Sequence, residues 1–428
     1  MRRSYWGNRL IAALLMLIIA LLLTGCFDQR EVDELAYPVA MGLDIGEANK
    51  LRLTLQLAAP LSISAGGSGG AGGSGGSGEG GRGEPTSIIT VDTPSIYSGL
   101  NLINNIISKE ITMSHAQLVV ISKRLAEEGI SKYLHAIQRG REFRSDIFIM
   151  VSNNPPDEYF KNVKPTLESS PEKYYELMLG KNFTSFYPST RLHEFYYKND
   201  SRTVQPIAIL TGLSKYSSID QLKDSGKNGN NSENRLEGEY QAGNIPILAD
   251  QKNEVMGAAV FKKGKMVGML NGKESECQQM VTGDFKYSYV TIPDPYDKDL
   301  IVVLDILQRK KPVIKADLVN GRAKVYISID LEGDFTSIQS GRNYEQQPQI
   351  IEQAIEEIQE KEVLALLEKT RDEFDSDICG IGEYMIRKFP TWERWEQFNW
   401  FDQYKNTEFE VDVNMKIRRT GQMIKTEK

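Results

Sequence analysis

Apolar and polar positions alternate strictly along Leu51, Leu53, Leu55 and Leu57 against Arg52, Thr54 and Gln56, which predicts a strand with one apolar face. A strand over 36–43 and a turn around 46–49 make it the second arm of an early hairpin. Further strands are expected over 87–91, 117–121, 147–151 and 204–213. Between them the period changes: Ile96, Leu100, Ile103 and Ile107 fall at helical spacing and predict a helix over 95–108 behind Pro94. Other helices are expected over 122–129, 130–139, 157–163, 170–179 and 191–198, with Pro171 well placed at a helix start. Strands and helices interleave, so 36–223 reads as an N-terminal α/β domain.

A polar stretch rich in Asn and Gly follows, and 224–240 reads as a linker. Over 241–299 a middle subdomain is expected, with a hairpin of strands 255–261 and 265–270 about Lys263-Gly264, then a short helix over 274–281. The C-terminal α+β domain, 300–420, holds strands over 300–307, 313–319 and 322–331. Asn320-Gly321 joins the last two and suits a type I′ turn, which needs positive φ at both central residues. Pro348 opens a long helix to about Phe374, with Ile351, Ile355, Ile358, Val363, Leu366 and Leu367 on its buried side. A short amphipathic piece over 383–388 follows. Trp392, Trp395, Phe398, Trp400 and Phe401 then read as core at a domain junction, before a closing strand over 408–418. The fold class expected is α+β: a mixed multi-domain chain of mostly antiparallel sheets with packed helices.

The first residues belong to a different pattern. Arg2, Arg3 and Arg9 precede an unbroken apolar run over 10–23, and Leu23-Thr24-Gly25-Cys26 closes it. That order is a secretory signal peptide, residues 1–25, and the small pair before the cysteine is the form in which the thiol receives diacylglycerol before cleavage. The run is shorter than the roughly 20 apolar residues that span a bilayer. Cys26 is therefore expected as a lipidated first residue with 26–35 as its tether. Two acyl chains anchor stably, which places the rest of the chain on the outer face of a membrane.

Charge supports lipid rather than electrostatic attachment. The whole chain has 51 basic and 58 acidic residues, and loss of the signal removes three arginines, so the mature part is more acidic still. Such an excess argues against nucleic acid and against anionic membrane surfaces. The segment 65–83 is almost wholly Gly, Ser and Ala and is expected as a flexible loop. It formally contains G-x-G-x-x-G at 67–72 and G-x-S-x-G at 72–76, but no amphipathic helix follows to aim amides at a phosphate or to shape a nucleophile elbow.

Candidate chemistry is sparse. His115, His135 and His193 have no partner at the spacing that puts two metal ligands on one helix face. Arg139, Arg141 and Arg144 lie beside Glu142 and Asp146 and read as a solvated, self-paired cluster. Asp375, Asp377 and Glu383 are the nearest thing to a general acid/base pair, which needs two carboxyls across a cleft; helix-end and turn roles are preferred for them. Cys277 and Cys379 lie far apart in a compartment that permits disulfides, and both a bridge and two buried thiols are open. No catalytic, cofactor or metal site is expected, and Cys26 is the one modified residue.

Three ordered stretches resemble the Ger(x)C family, the lipoprotein C subunit of nutrient germinant receptors in spores of Bacillus-type bacteria. The first is Cys26-Phe27-Asp28 through Glu34-Leu35-Ala36 to Met41-Gly42-Leu43-Asp44. The second runs from Gly257 to Lys262 and Lys265 to Leu270, with Glu274-Ser275. The third is Asp375 to Glu383, followed by Lys388, Pro390, Trp392 and the closing strand. Phe27 stands where the family more often has tryptophan, and Cys379 where an aromatic residue is usual.

The resemblance implies mixed α/β domains, three in number, and a non-enzymatic subunit on the outer surface of the spore inner membrane. It implies two multi-pass partners, of A and B type, the B-type being transporter-like and the germinant binder, and a role in receptor assembly and in starting germination. Two other readings remain. One is a solute-binding lipoprotein, which would show a saturable, ligand-dependent rise in Tm. The other is a cell-wall or glycoside hydrolase, which would depend on Asp377 or Glu383.

Overall fold

The early hairpin forms as its alternation predicts: β1 (Pro38–Asp44) and β2 (Leu51–Ala58) pair antiparallel, with Leu43 opposite Leu53. The computed structural model describes Trp6 and residues 11–16, 31–58, 86–168, 170–181, 183–222 and 235–419. Most of the signal segment, Cys26, the Gly/Ser loop over 65–83 and much of the linker over 224–240 lie outside these residues. Among the described residues no helix is long and apolar enough to cross a membrane.

Six more strands complete the first sheet: β3 (Thr86–Thr93), β4 (Leu118–Ser122), β5 (Phe148–Ser152), β6 (Ile207–Leu213), β7 (Asn253–Lys262) and β8 (Lys265–Leu270). Their order is β8-β7-β6-β5-β4-β1-β2-β3. The four central strands are mutually parallel and the outer ones antiparallel. A parallel centre must be covered on both faces, and β4 and β5 are buried at every position. Val119, Ile121, Ile149 and Val151 face one core with α1 (Ile96–Ile103), α2 (Lys123–Glu128) and α3 (Ser131–Arg139). Leu118, Val120, Phe148 and Met150 face the other, against α4 (Pro156–Asn162) and α5 (Pro171–Gly180). The helix α6 (Leu192–Asp200) adds Leu192 and Phe195 to the first of these cores.

Helix α1 stops short of the expected Ser108. Asn105 Nδ2 donates to the carbonyls of Asn101 and Leu102, and Asn104 Oδ1 accepts from the amide of Ile111. Such side chains compete with the helical ladder and end it.

The hairpin expected inside a middle subdomain continues the first sheet. β7 lies antiparallel beside β6, with Ile207 opposite Val260. A two-stranded hairpin is marginal alone, and β7 gains a covered edge by joining six strands already paired. The remainder of that span turns to the second core: α7 (Gly272–Thr282) contributes Cys277, Met280 and Val281 to it.

The second sheet comprises β9 (Tyr287–Asp294), β10 (Asp297–Leu307), β11 (Val313–Val319), β12 (Arg322–Ile338) and β13 (Glu408–Arg419). β12 pairs antiparallel with β11 through its first half and with β10 through its second. β13 runs parallel to it along the opposite edge, reached through α8 (Gln349–Asp372), since parallel neighbours need a crossover. Asn320 and Gly321 have φ of 52° and 80°, as the turn between β11 and β12 demands. Strand β9 is absent from the sequence reading, because its exposed Tyr287 and Tyr289 mask the buried alternation of Ser288, Val290 and Ile292. Antiparallel pairings are in the majority across the molecule, and the α+β class holds.

Candidate functional site at the junction of the two sheets

The second core does not end at its own sheet. It includes Ile207, Ala258, Val260 and Leu270 of the first sheet, so the two halves share apolar surface. The polar side of this junction is built by the loop after α8. Phe374 lies against Gly268 of β8 so closely that a Cβ there would stand 2.2 Å from a ring carbon. Asp375 turns the chain with φ of 46° and pairs with Lys262 at 2.5 Å. Ser376 Oγ donates to the carbonyl of Phe261 at 2.7 Å, and the carbonyl of Asp377 accepts from the amide of Gln205 at 2.7 Å. Gln205 Oε1 in turn accepts from the amide of Lys263 at the tip of the β7–β8 hairpin. Gln278 of α7 closes the ring by donating to the carbonyl of Ile378 at 3.2 Å.

Asp377 is wholly enclosed. Its carboxylate accepts from the amides of Ile381 at 3.1 Å and Gly382 at 2.8 Å, and from Trp400 Nε1 at 2.9 Å. Burial pushes its pKa up to about 6, against the opposing pull of those donors. Gly382 is needed for this fit, because a Cβ would lie 2.3 Å from the carbonyl oxygen of Thr203 and 2.6 Å from Trp400 Nε1. Trp400 stacks with Trp395 and Phe398 and meets the edge of Tyr404, whose hydroxyl bonds Thr370 at 2.8 Å. The aromatic group is thus core at the junction, with Trp392 alone largely exposed.

These contacts decide the carboxylate question. Asp375 is ion-paired, Asp377 is sealed and spent on three donors, and Glu383 is exposed. The trio does not form an acid and base facing one cleft. The turn and helix-end roles preferred from the sequence are the ones observed for Asp375 and Asp377.

A second charged group lies beside α7. Asn271 and Glu274 form a reciprocal cap, each side chain accepting the other's amide at 2.8 Å, and Lys369 of α8 donates to Glu274 at 2.7 Å. One residue before that glutamate, Lys273 lies 3.3 Å from Glu276 and 3.2 Å from Glu362. Burial acts to lower the Lys273 pKa, and the two carboxylates outweigh it and raise it. Glu362 is itself raised by burial. The group tethers α7 to α8 and faces a cavity of about 20 Å³, room for a single water. A larger cleft of about 470 Å³ opens between the halves, lined by Arg191, Glu194 and Lys198 on one wall and Gln278, Asp284 and Lys286 on the other.

The other singled-out residues take structural places. His115 packs edge-on to Tyr37, His135 to Tyr196, and His193 Nδ1 lies 2.8 Å from the carbonyl of Ser145. Arg144 and Asp146 pair at the surface. Cys277 and Cys379 are buried free thiols. Among the described residues no group of three His, Cys, Asp or Glu side chains is placed to hold a metal ion. In the first stretch, Gly42 admits Pro156 of α4, and Asp44 accepts from Arg124 at 2.6 Å. What the sequence reading missed is the convergence itself: the second and third stretches, about a hundred residues apart, meet through Asp375 and Ser376, with Phe374 just before them against Gly268.

Residues 28–211 match the family described as spore germination protein N-terminal domain, and residues 256–421 the family described as spore germination B3/GerAC like, C-terminal. Spore germination protein KC of Bacillus subtilis (strain 168) is 26% identical over 423 residues, covering 97% of this chain and 96% of that protein. Spore germination protein B3 of the same organism is 20% identical over 422 residues, covering 95% of this chain and 96% of that one. The crystal structure of the GerBC protein superimposes with a TM-score of 0.51 at 16% identity, over 88% of this chain and 96% of that chain, a likeness of fold.

Proposed function

Since this chain belongs to the Ger(x)C family of spore germination proteins, we propose that it is a non-catalytic subunit of a nutrient germinant receptor, anchored through a lipidated Cys26. It sits on the outer face of the spore inner membrane with two multi-pass subunits of A and B type, and is required for receptor assembly and for starting germination. The observation that carries the reading is the family match along nearly the whole chain, whose two matched parts are joined where the amide of Gln205 donates to the carbonyl of Asp377. The enclosure of Asp377 supports a structural role for it and so the non-catalytic reading.

Replacing Cys26 with alanine is expected to release the protein from spore membranes and slow nutrient-triggered germination. Retained membrane association with normal germination would refute the anchor. Copurification from spore membranes should recover two multi-pass proteins with the wild-type chain.

The cleft of about 470 Å³ favours one second reading, a solute-binding lipoprotein. That reading requires a saturable rise in Tm with a small solute, abolished by changes at Lys198 or Lys286 in the cleft walls.

A further inference from the structure

The point where the tether joins the folded body is defined. Leu35 and Ala36 pair parallel with Glu110 and Ile111, and the amide of Thr112 donates to the carbonyl of Ala36 at 3.1 Å. Shortly before that pairing, the end of α1 and the turn that follows it carry two outward apolar side chains, Leu102 at 45% and Ile106 at 73% exposure. Ile107 beside them packs into the first-sheet core and holds the segment in place, as does Asn104 through Ile111.

From these positions we infer that Leu102 and Ile106 rest on the lipid surface to which the chain is anchored. The inference depends on the proposed acylation of Cys26, and adds which face of the protein the bilayer meets. Leu35 lies nine residues after Cys26, a reach of at most about 30 Å fully extended, and the turn at Val32–Glu34 shortens it. The end of the molecule that receives the tether is therefore the end held near the membrane. A short tether raises the effective concentration of that end at the surface, so two apolar side chains suffice where they would not recruit a free protein. The neighbouring charges, Glu31, Asp33, Glu34 and Glu110 against Lys109, oppose attraction to anionic headgroups, so the contact is made by apolar burial.

The test uses the full acylated chain in phosphatidylcholine vesicles, with an environment-sensitive fluorophore on an Ile106→Cys variant. Cys277 and Cys379 are 1% and 4% exposed and stay unlabelled. The probe is expected to emit to the blue and to be quenched by lipids brominated on their acyl chains, while the same probe at Val319→Cys on β11 keeps aqueous emission. Equal emission at the two sites, or quenching only after other membrane proteins are added, overturns the inference. The mass of the N-terminal peptide reports acylation separately. A chain with a hexahistidine segment in place of Cys26, held on nickel-chelating lipid, repeats the measurement: quenching there sustains the face even if the native thiol proves unmodified, and its absence sinks it.

Discussion

Glu356 of α8 accepts the backbone N–H of Met415 in β13 at 2.9 Å, and it is the middle rung of three. Glu352 accepts from Ile417 at 2.8 Å and Glu360 from Val413 at 3.2 Å. The match is geometric: four helical residues advance about 6 Å and two strand residues about 6.6 Å, so each successive outward amide from Val413 to Ile417 finds a glutamate. An edge strand left bare invites pairing with another chain. Here the crossover helix supplies the missing acceptors.

Glu356→Ala should leave the Met415 amide without its partner and cost about 1–3 kcal/mol in urea denaturation. Glu356→Gln keeps a carbonyl acceptor and should cost clearly less. Equal losses for the two variants would show that the contact acts through charge rather than through the hydrogen bond.

Gly268→Ala places a methyl 2.2 Å from the Phe374 ring, and overpacking of this kind costs about 1–3 kcal/mol. Trimming the ring, as Phe374→Leu, should recover part of that loss in the double variant. Simple additivity of the two changes would mean the residues do not press on one another.

Asp375 combines left-handed backbone with an ion pair to Lys262. Asp375→Gly loses the pair but relieves the backbone, whereas Asp375→Ala loses the pair and keeps a strain of about 1–2 kcal/mol. The alanine variant should therefore melt lower than the glycine variant. The reverse order would place the role of Asp375 in its side chain alone.

The raised pKa of Asp377 has a sign. Below its ordinary value of 3.8 the carboxyl is protonated in both folded and unfolded chains. As pH rises, the unfolded chain releases the proton first, while the folded chain holds it until about 6. Stability from this group falls across that window, by about 3 kcal/mol, and is constant above it. Denaturation of wild type and Asp377→Asn between pH 4 and 7 should show the wild type losing ground to the variant up to about pH 6 and no further. Parallel curves would mean the carboxylate is ionised throughout.

Much of this architecture is legible along the chain. The leucine alternation of β2, the Asn320-Gly321 turn and the long stripe of α8 are local patterns, and each formed where its spacing lies. The expectation of a lipidated Cys26 likewise rests on neighbours in sequence, Leu23-Thr24-Gly25-Cys26. Asp377 is the opposite case: beside Asp375 and Glu383 it looks like any acidic residue, and only enclosure by Trp400, Ile381 and Gly382 gives it a role.

Period and turn chemistry act over a few residues, so a sequence can declare its strands and helices without reference to the whole. Which strands become neighbours depends on burial between segments far apart. That is why the β7–β8 hairpin extends the first sheet, why β9 emerged only beside β10, and why a glutamate ladder and a ring of backbone bonds at the junction appear once the two cores have closed on each other.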